Sequence, residues 1–191
     1  IAYEGFDYLE NDIDSTMNGG VGFAGPWTDA PPVNRTVDAG ISTSCAAGIG
    51  GSGQTGGNGA GAFRYLESSY GTSGEPETVY YSLVARTNPD NPVAEGDLGW
   101  YAGASLFNGD AEVLFLGKPW AADSWGFDAQ DGACDGDVNG CGFSSVQFSD
   151  TPSLIVVKMD FDGVGGATTS LWVDPADCAE GTPDIVYEDA N

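Results

Sequence analysis

The chain has 191 residues, of which 29 are Asp or Glu against 5 Lys or Arg, giving a formal net charge of -24, and it contains no histidine. So few cations give no basic footprint for nucleic acid, and without histidine neither a histidine-dependent triad nor a His-ligated zinc site can be built. With 41% hydrophobic and 12% aromatic residues it is too apolar for a disordered acidic tail, and no apolar run reaches the roughly 18 residues of a membrane-spanning helix.

In chain order, the first predicted strand is Tyr3–Tyr8. A glycine-rich segment, Gly48–Gly61, follows; it lacks side chains to pack and reads as a long loop, or as a close-packed subunit contact where only glycine fits. Strand patterning resumes at Ala62–Leu66. In Glu77–Arg86, Val79, Tyr81, Leu83 and Ala85 point one way and the residues between them the other. Leu98–Phe107, Glu112–Gly117 and Ser124–Phe127 come next. Ser153–Asp162 alternates most cleanly, with Ile155, Val157, Met159 and Phe161 on one face and Lys158, Asp160 and Asp162 on the other. Thr168–Asp174 and Asp184–Tyr187 complete the set. Gly, Pro and Asx residues interrupt every stretch before a 3.6-residue period can build. The expectation is one all-β domain over residues 1–191, an antiparallel β-sandwich or jelly roll.

Four cysteines, Cys45, Cys134, Cys141 and Cys178, are compatible with two disulfides, and three pairings are possible. Cys134–Cys141, which closes a short loop, together with Cys45–Cys178 is the favoured set; buried free thiols are the alternative. A start at Ile1 rather than Met and an even number of cysteines both fit a secreted protein after signal-peptide removal.

Two regions carry a family likeness. Tyr3-Glu4-Gly5-Phe6-Asp7-Tyr8, then Asn18-Gly19-Gly20 and Gly22-Phe23 before Trp27, together with Leu154–Asp162 and Ser170-Leu171-Trp172-Val173-Asp174-Pro175, resemble secreted bacterial proteins with a concanavalin A-like, laminin-G-like jelly roll. The resemblance implies the fold and secretion but not an activity. In that family a further strand of the form Phe-Asp-x-Ile/Leu-Arg-Ile/Leu-Gly closes the sheet beside the N-terminal strand, and here no such segment follows Tyr187. An open edge would invite a neighbour's strand, with Tyr3, Phe6 and Tyr8 or Ile185 and Tyr187 as candidates for the exchanged strand.

The sharpest local chemistry lies in Asp131–Cys141. Asp135-x-Asp137-x-Asn139-Gly140 matches the first half of a calcium loop: alternate oxygens converge on a hard cation and the glycine permits the turn. The twelfth position is Val146 rather than a bidentate Glu, so this is no EF-hand, and Asp131 is a candidate further ligand. A solvated Asx turn held by a disulfide is the plainer reading. Asp90, Glu95 and Asp97, and the trio Asp160, Asp162 and Asp174, are weaker acidic clusters.

Catalysis without histidine would require paired carboxylates. Laminarinase-type hydrolases of this general fold carry Glu-x-Asp-x-x-Glu on one strand, and Glu4-Gly-Phe-Asp7 has the wrong spacing, so no enzymatic activity is expected. Trp120 and Trp125 are the candidate platforms for sugar rings, and Asn34-Arg-Thr36 is a glycosylation sequon. The leading expectation is a secreted structural subunit that assembles with calcium and copies of itself into a fibre, layer or matrix. The alternative is a calcium-dependent, lectin-like module that binds glycans.

Overall fold

The computed structural model describes residues 1–9, 11–28, 35–37, 39–54, 61–71, 74–88, 101–119, 122–129 and 141–189. The chain divides into two compact units, Ile1–Ser69 and Tyr70–Asn191.

Among the described residues of the first unit there is one regular pair, β1 (Arg35–Val37) antiparallel to β2 (Ser52–Gln54). The latter falls inside the glycine-rich run expected to be a loop. The expected strands Tyr3–Tyr8 and Ala62–Leu66 are reduced to single bridges, Tyr3 with Val21 and Phe23 with Leu66. Three segments nevertheless lie side by side: Tyr3 and Val21 exchange both backbone hydrogen bonds, while Ala24 donates to Tyr65 O and Glu67 to Gly22 O. The described part of the glycine run packs closely on its own chain. A Cβ on Gly50 would lie 2.5 Å from Gly5 O, and one on Gly53 would lie 2.9 Å from the Phe6 ring. Backbone packs directly on backbone there, and a side chain has no room.

The second unit is an antiparallel β-sandwich. One sheet has the order β10 (Ile185–Asp189), β9 (Ala167–Val173), β8 (Ser153–Phe161) and β3 (Glu77–Ala85). The other is the meander β4 (Ala102–Asn108), β5 (Ala111–Lys118), β6 (Ser124–Asp128) and β7 (Cys141–Gln147), inserted between β3 and β8. Period-2 alternation places Ile155, Val157 and Met159 of β8 and Leu171 and Val173 of β9 against Leu114, Leu116, Trp125 and Phe127 of the facing sheet. Val79, Tyr81, Leu83 and Ala85 pack on this core as their alternation requires. Burial there pushes the Tyr81 phenol far above its usual range, because the charged form loses its hydration.

Ile185 and Tyr187 occupy β10, where Ile185 pairs with Leu171 and Tyr187 with Thr169. The C-terminal segment is therefore the edge strand of its own sheet. The described helical structure is one short 3-10 turn, Ala176–Cys178. No helix among the described residues is long and apolar enough to cross a membrane.

Candidate functional site

The opening motif of the chain converges on a residue that the pattern reading passed over, Arg64. Its guanidinium donates to Glu4 Oε2 at 2.5 Å, Gly19 O at 2.9 Å, Asn18 Oδ1 at 3.2 Å and Gly25 O at 2.8 Å. It also lies 4.1 Å from the Phe23 ring centroid, within cation–π range. Glu4 Oε2 accepts from the Tyr8 hydroxyl and Trp27 Nε1 as well, and Glu4 Oε1 accepts from the Phe6 amide. Phe6, at φ 50°, stacks on Trp27 with centroids 5.7 Å apart. With side chains only 2% and 10% exposed, Arg64 and Glu4 form a buried ion pair whose remaining donors and acceptors are satisfied. Burial, the largest effect on Tyr8, raises its phenol pKa while the Gly19 amide opposes it. The signal for this node was present in the sequence: Arg64 sits between Phe63 and Tyr65 in a chain nearly without cations.

A second cation, Lys118, is also buried, at 1% exposure. It ends β5 on the core-facing side shared with Leu114 and Leu116, and its Nζ lies 5.6 Å from the Phe148 ring centroid. A third, Lys158, bridges Asp160 at 3.1 Å and Glu180 at 3.3 Å. These three cations are engaged within the fold, so they offset little of the remaining acidic surface.

The acidic trio on the sandwich divides among separate structural tasks. Asp160 accepts from the Thr78 hydroxyl at 2.6 Å, which together with Lys158 holds its carboxyl below the usual range. Asp162 accepts from the Val164 and Gly166 amides and closes the β8–β9 turn; the Val164 amide is the main cause of its lowered pKa. Asp174, at φ 50°, accepts from the Leu154 amide. Among the described residues no group of three or more His, Cys, Asp or Glu is arranged to hold a metal. Asp131, Asp135, Asp137 and Asn139 of the calcium-like loop lie outside the described residues, as do Asp90, Glu95, Asp97, Cys134 and Trp120.

Trp125 is 4% exposed and packs edge-on to Phe148. A sugar ring has no access to it from solvent, so its place is core rather than platform. Thr36 of the sequon is fully buried and donates to Leu9 O; Asn34 lies outside the described residues. Cys45, Cys141 and Cys178 are all disulfide-bonded, and no described cysteine is free.

Among the residues accessible on the first unit are several large apolar ones, beside the exposed acids Asp7, Asp12 and Glu67. Ile1, Tyr3, Val21, Phe63, Tyr65 and Leu66 are exposed, Tyr65 at 78%, along the three adjoining segments. Residues 1–4, 21–28 and 63–67 carry three charged side chains: Glu4 and Arg64, which neutralise each other, and the exposed Glu67. Compared with known proteins, the chain matches no family model, no curated protein and no solved structure.

Proposed function

We propose that this chain is a secreted, non-enzymatic structural subunit that assembles with copies of itself, with calcium or other cations screening and bridging its acidic surface. The exposed apolar ladder of the first unit carries this reading. Exposed apolar side chains gathered on adjoining segments mark an interaction site, and here they border a self-neutralising ion pair and the single exposed carboxylate of Glu67. At a net charge of -24 two copies repel one another over most of their surface, so cations would be required for close approach. The disulfides support an oxidising, extracellular setting. Because β10 completes its own sheet, the favoured assembly leaves that strand in place and uses docking of surfaces. The proposed kinship with concanavalin A-like jelly rolls is compatible with the sandwich.

Sedimentation velocity of the purified full chain, with and without calcium, tests the reading. Wild type is expected to sediment as a concentration-dependent polymer, and Tyr65→Asp combined with Val21→Asp as a monomer. A wild type that stays monomeric at every concentration in calcium would overturn it.

A further inference from the structure

The connection between β9 and β10, residues 174–184, does not turn back directly but runs over the outer face of its own sheet. Trp172 lies on that face, since it alternates with the core residues Leu171 and Val173 and pairs with Val156. It is nevertheless only 6% exposed, and its indole nitrogen donates to Gly181 O at 3.0 Å. Glu180 reaches farther, accepting from the Tyr80 hydroxyl of β3 at 2.9 Å and from Lys158 Nζ of β8 at 3.3 Å. The segment therefore straps three strands, β9, β8 and β3. Asp174 and Asp184 fix its two ends, accepting from the Leu154 and Val173 amides.

We infer that this strap is a redox-released cover: the Cys178 disulfide holds it on the sheet, and reduction lifts it from Trp172. The strap has no core of its own, for none of residues 174–184 is buried, and Cys178 itself is exposed to an attacking thiolate. Its backbone is held in an unfavourable form. Asp174, Asp177 and Cys178 have φ of 50°, 55° and 56°, a left-handed conformation in which Cβ crowds the following carbonyl. In mid-strap Glu180 makes surface contacts, its side chain 49% exposed, and contacts of that kind hold weakly. The covalent link at Cys178 thus opposes a backbone that gains by relaxing. Opening takes two electrons and two protons: a dithiol reductant attacks the disulfide, both cysteine sulfurs become thiols, and the reductant closes to its own disulfide. Asp177 and Cys178 can then leave the left-handed region while β9 and β10 stay paired through their own ladder. The device holds whether or not the chain assembles with copies of itself.

Hydrogen exchange of two indole protons, followed by NMR of the full chain in chelator, tests this. The Trp172 indole reports the strap, and the indole of Trp125, buried in the core, reports the sandwich. Cys178→Ser without reductant is expected to lose protection at Trp172 and keep it at Trp125. Reduction of wild type with dithiothreitol is likewise expected to release Trp172. Cys178→Ala replaces the serine variant if that one lacks a cooperative melting transition. Trp172 protection that persists in both the reduced chain and the variant would overturn the inference, because the strap would then hold without its disulfide. Release on reduction but not in Cys178→Ser would assign the hold to another disulfide and overturn it too. So would loss of protection at both indoles in Cys178→Ser, since the link would then support the whole sandwich instead of one segment. A glutamate-specific protease gives a second readout. The bond after Glu180 should be cut faster in the reduced chain than in the oxidised one, and equal rates would contradict release.

Discussion

Arg64 and Glu4 lie sixty residues apart and meet through a 2.5 Å hydrogen bond inside the first unit. Around that pair gather Phe6, Tyr8, Asn18, Gly19, Phe23 and Trp27, the residues on which the family likeness rested. A unit with little regular strand structure is thus organised by a satisfied buried charge. Removing one partner leaves the other without compensation, so Arg64→Leu is expected to destabilise the first unit by about 3–5 kcal/mol. Denaturation followed by tryptophan fluorescence measures this. The conservative Arg64→Lys should restore only part of the loss, because an ammonium lacks the planar fork that serves several acceptors at once.

Trp125 offers a contrast between size and polarity. Its indole nitrogen is buried without a hydrogen-bond partner, so Trp125→Phe removes an unsatisfied donor along with some packing and should cost under about 1.5 kcal/mol. Trp125→Ala should cost about 3–5 kcal/mol through the cavity it leaves. Thermal unfolding of the two variants decides; equal losses would show that the donor is not the distinguishing feature.

Strands β3 and β8 were legible because alternation sets one wholly apolar face, Val79, Tyr81, Leu83 and Ala85 or Ile155, Val157 and Met159, against the core. Strand β7 was not, because its inward positions include Gly142 and Ser144. A Cβ on Gly142 would lie 2.7 Å from the Phe127 ring and 2.8 Å from Ile185. Those two neighbours fill the space that a side chain from β7 would otherwise occupy, so the alternation is one of volume and not hydropathy. Gly142→Ala is therefore expected to destabilise the sandwich by about 1–3 kcal/mol through overpacking, measurable by urea unfolding.

The Arg64 node left only a weak local signal, a lone cation between Phe63 and Tyr65, for a different reason. Each contributor is a short motif with no period, and only the fold brings the segments together. The apolar ladder was hidden likewise, since Tyr3 meets Val21 and Phe23 meets Leu66 through isolated bridges instead of continuous strands.

Acid should act in two stages. Lowering pH from neutrality toward the sequence pI of about 4.1 reduces the net charge, so assembly should strengthen over that interval. Asp160 and Asp162 have folded pKa values below the ordinary carboxylate value, so their stabilising contribution is present above that value. It is lost as pH falls through their lowered folded values. An NMR pH titration should show both carboxyls protonating below the ordinary carboxylate value, and protonation at or above that value would contradict the assigned hydrogen bonds.

Cysteine pairing is open to direct chemical mapping. Proteolysis without reduction is expected to release one peptide pair joining Cys45 to Cys178 and another holding Cys134 to Cys141. Any other pairing would refute the expected connectivity while preserving two disulfides.

Self-assembly is the central claim, and negative-stain microscopy with light scattering of the purified chain, first in millimolar calcium and then in chelator, tests it most directly. The account predicts ordered polymers that shorten or dissolve when calcium is withdrawn, as restored repulsion opposes contact. A monodisperse monomer under both conditions would contradict it.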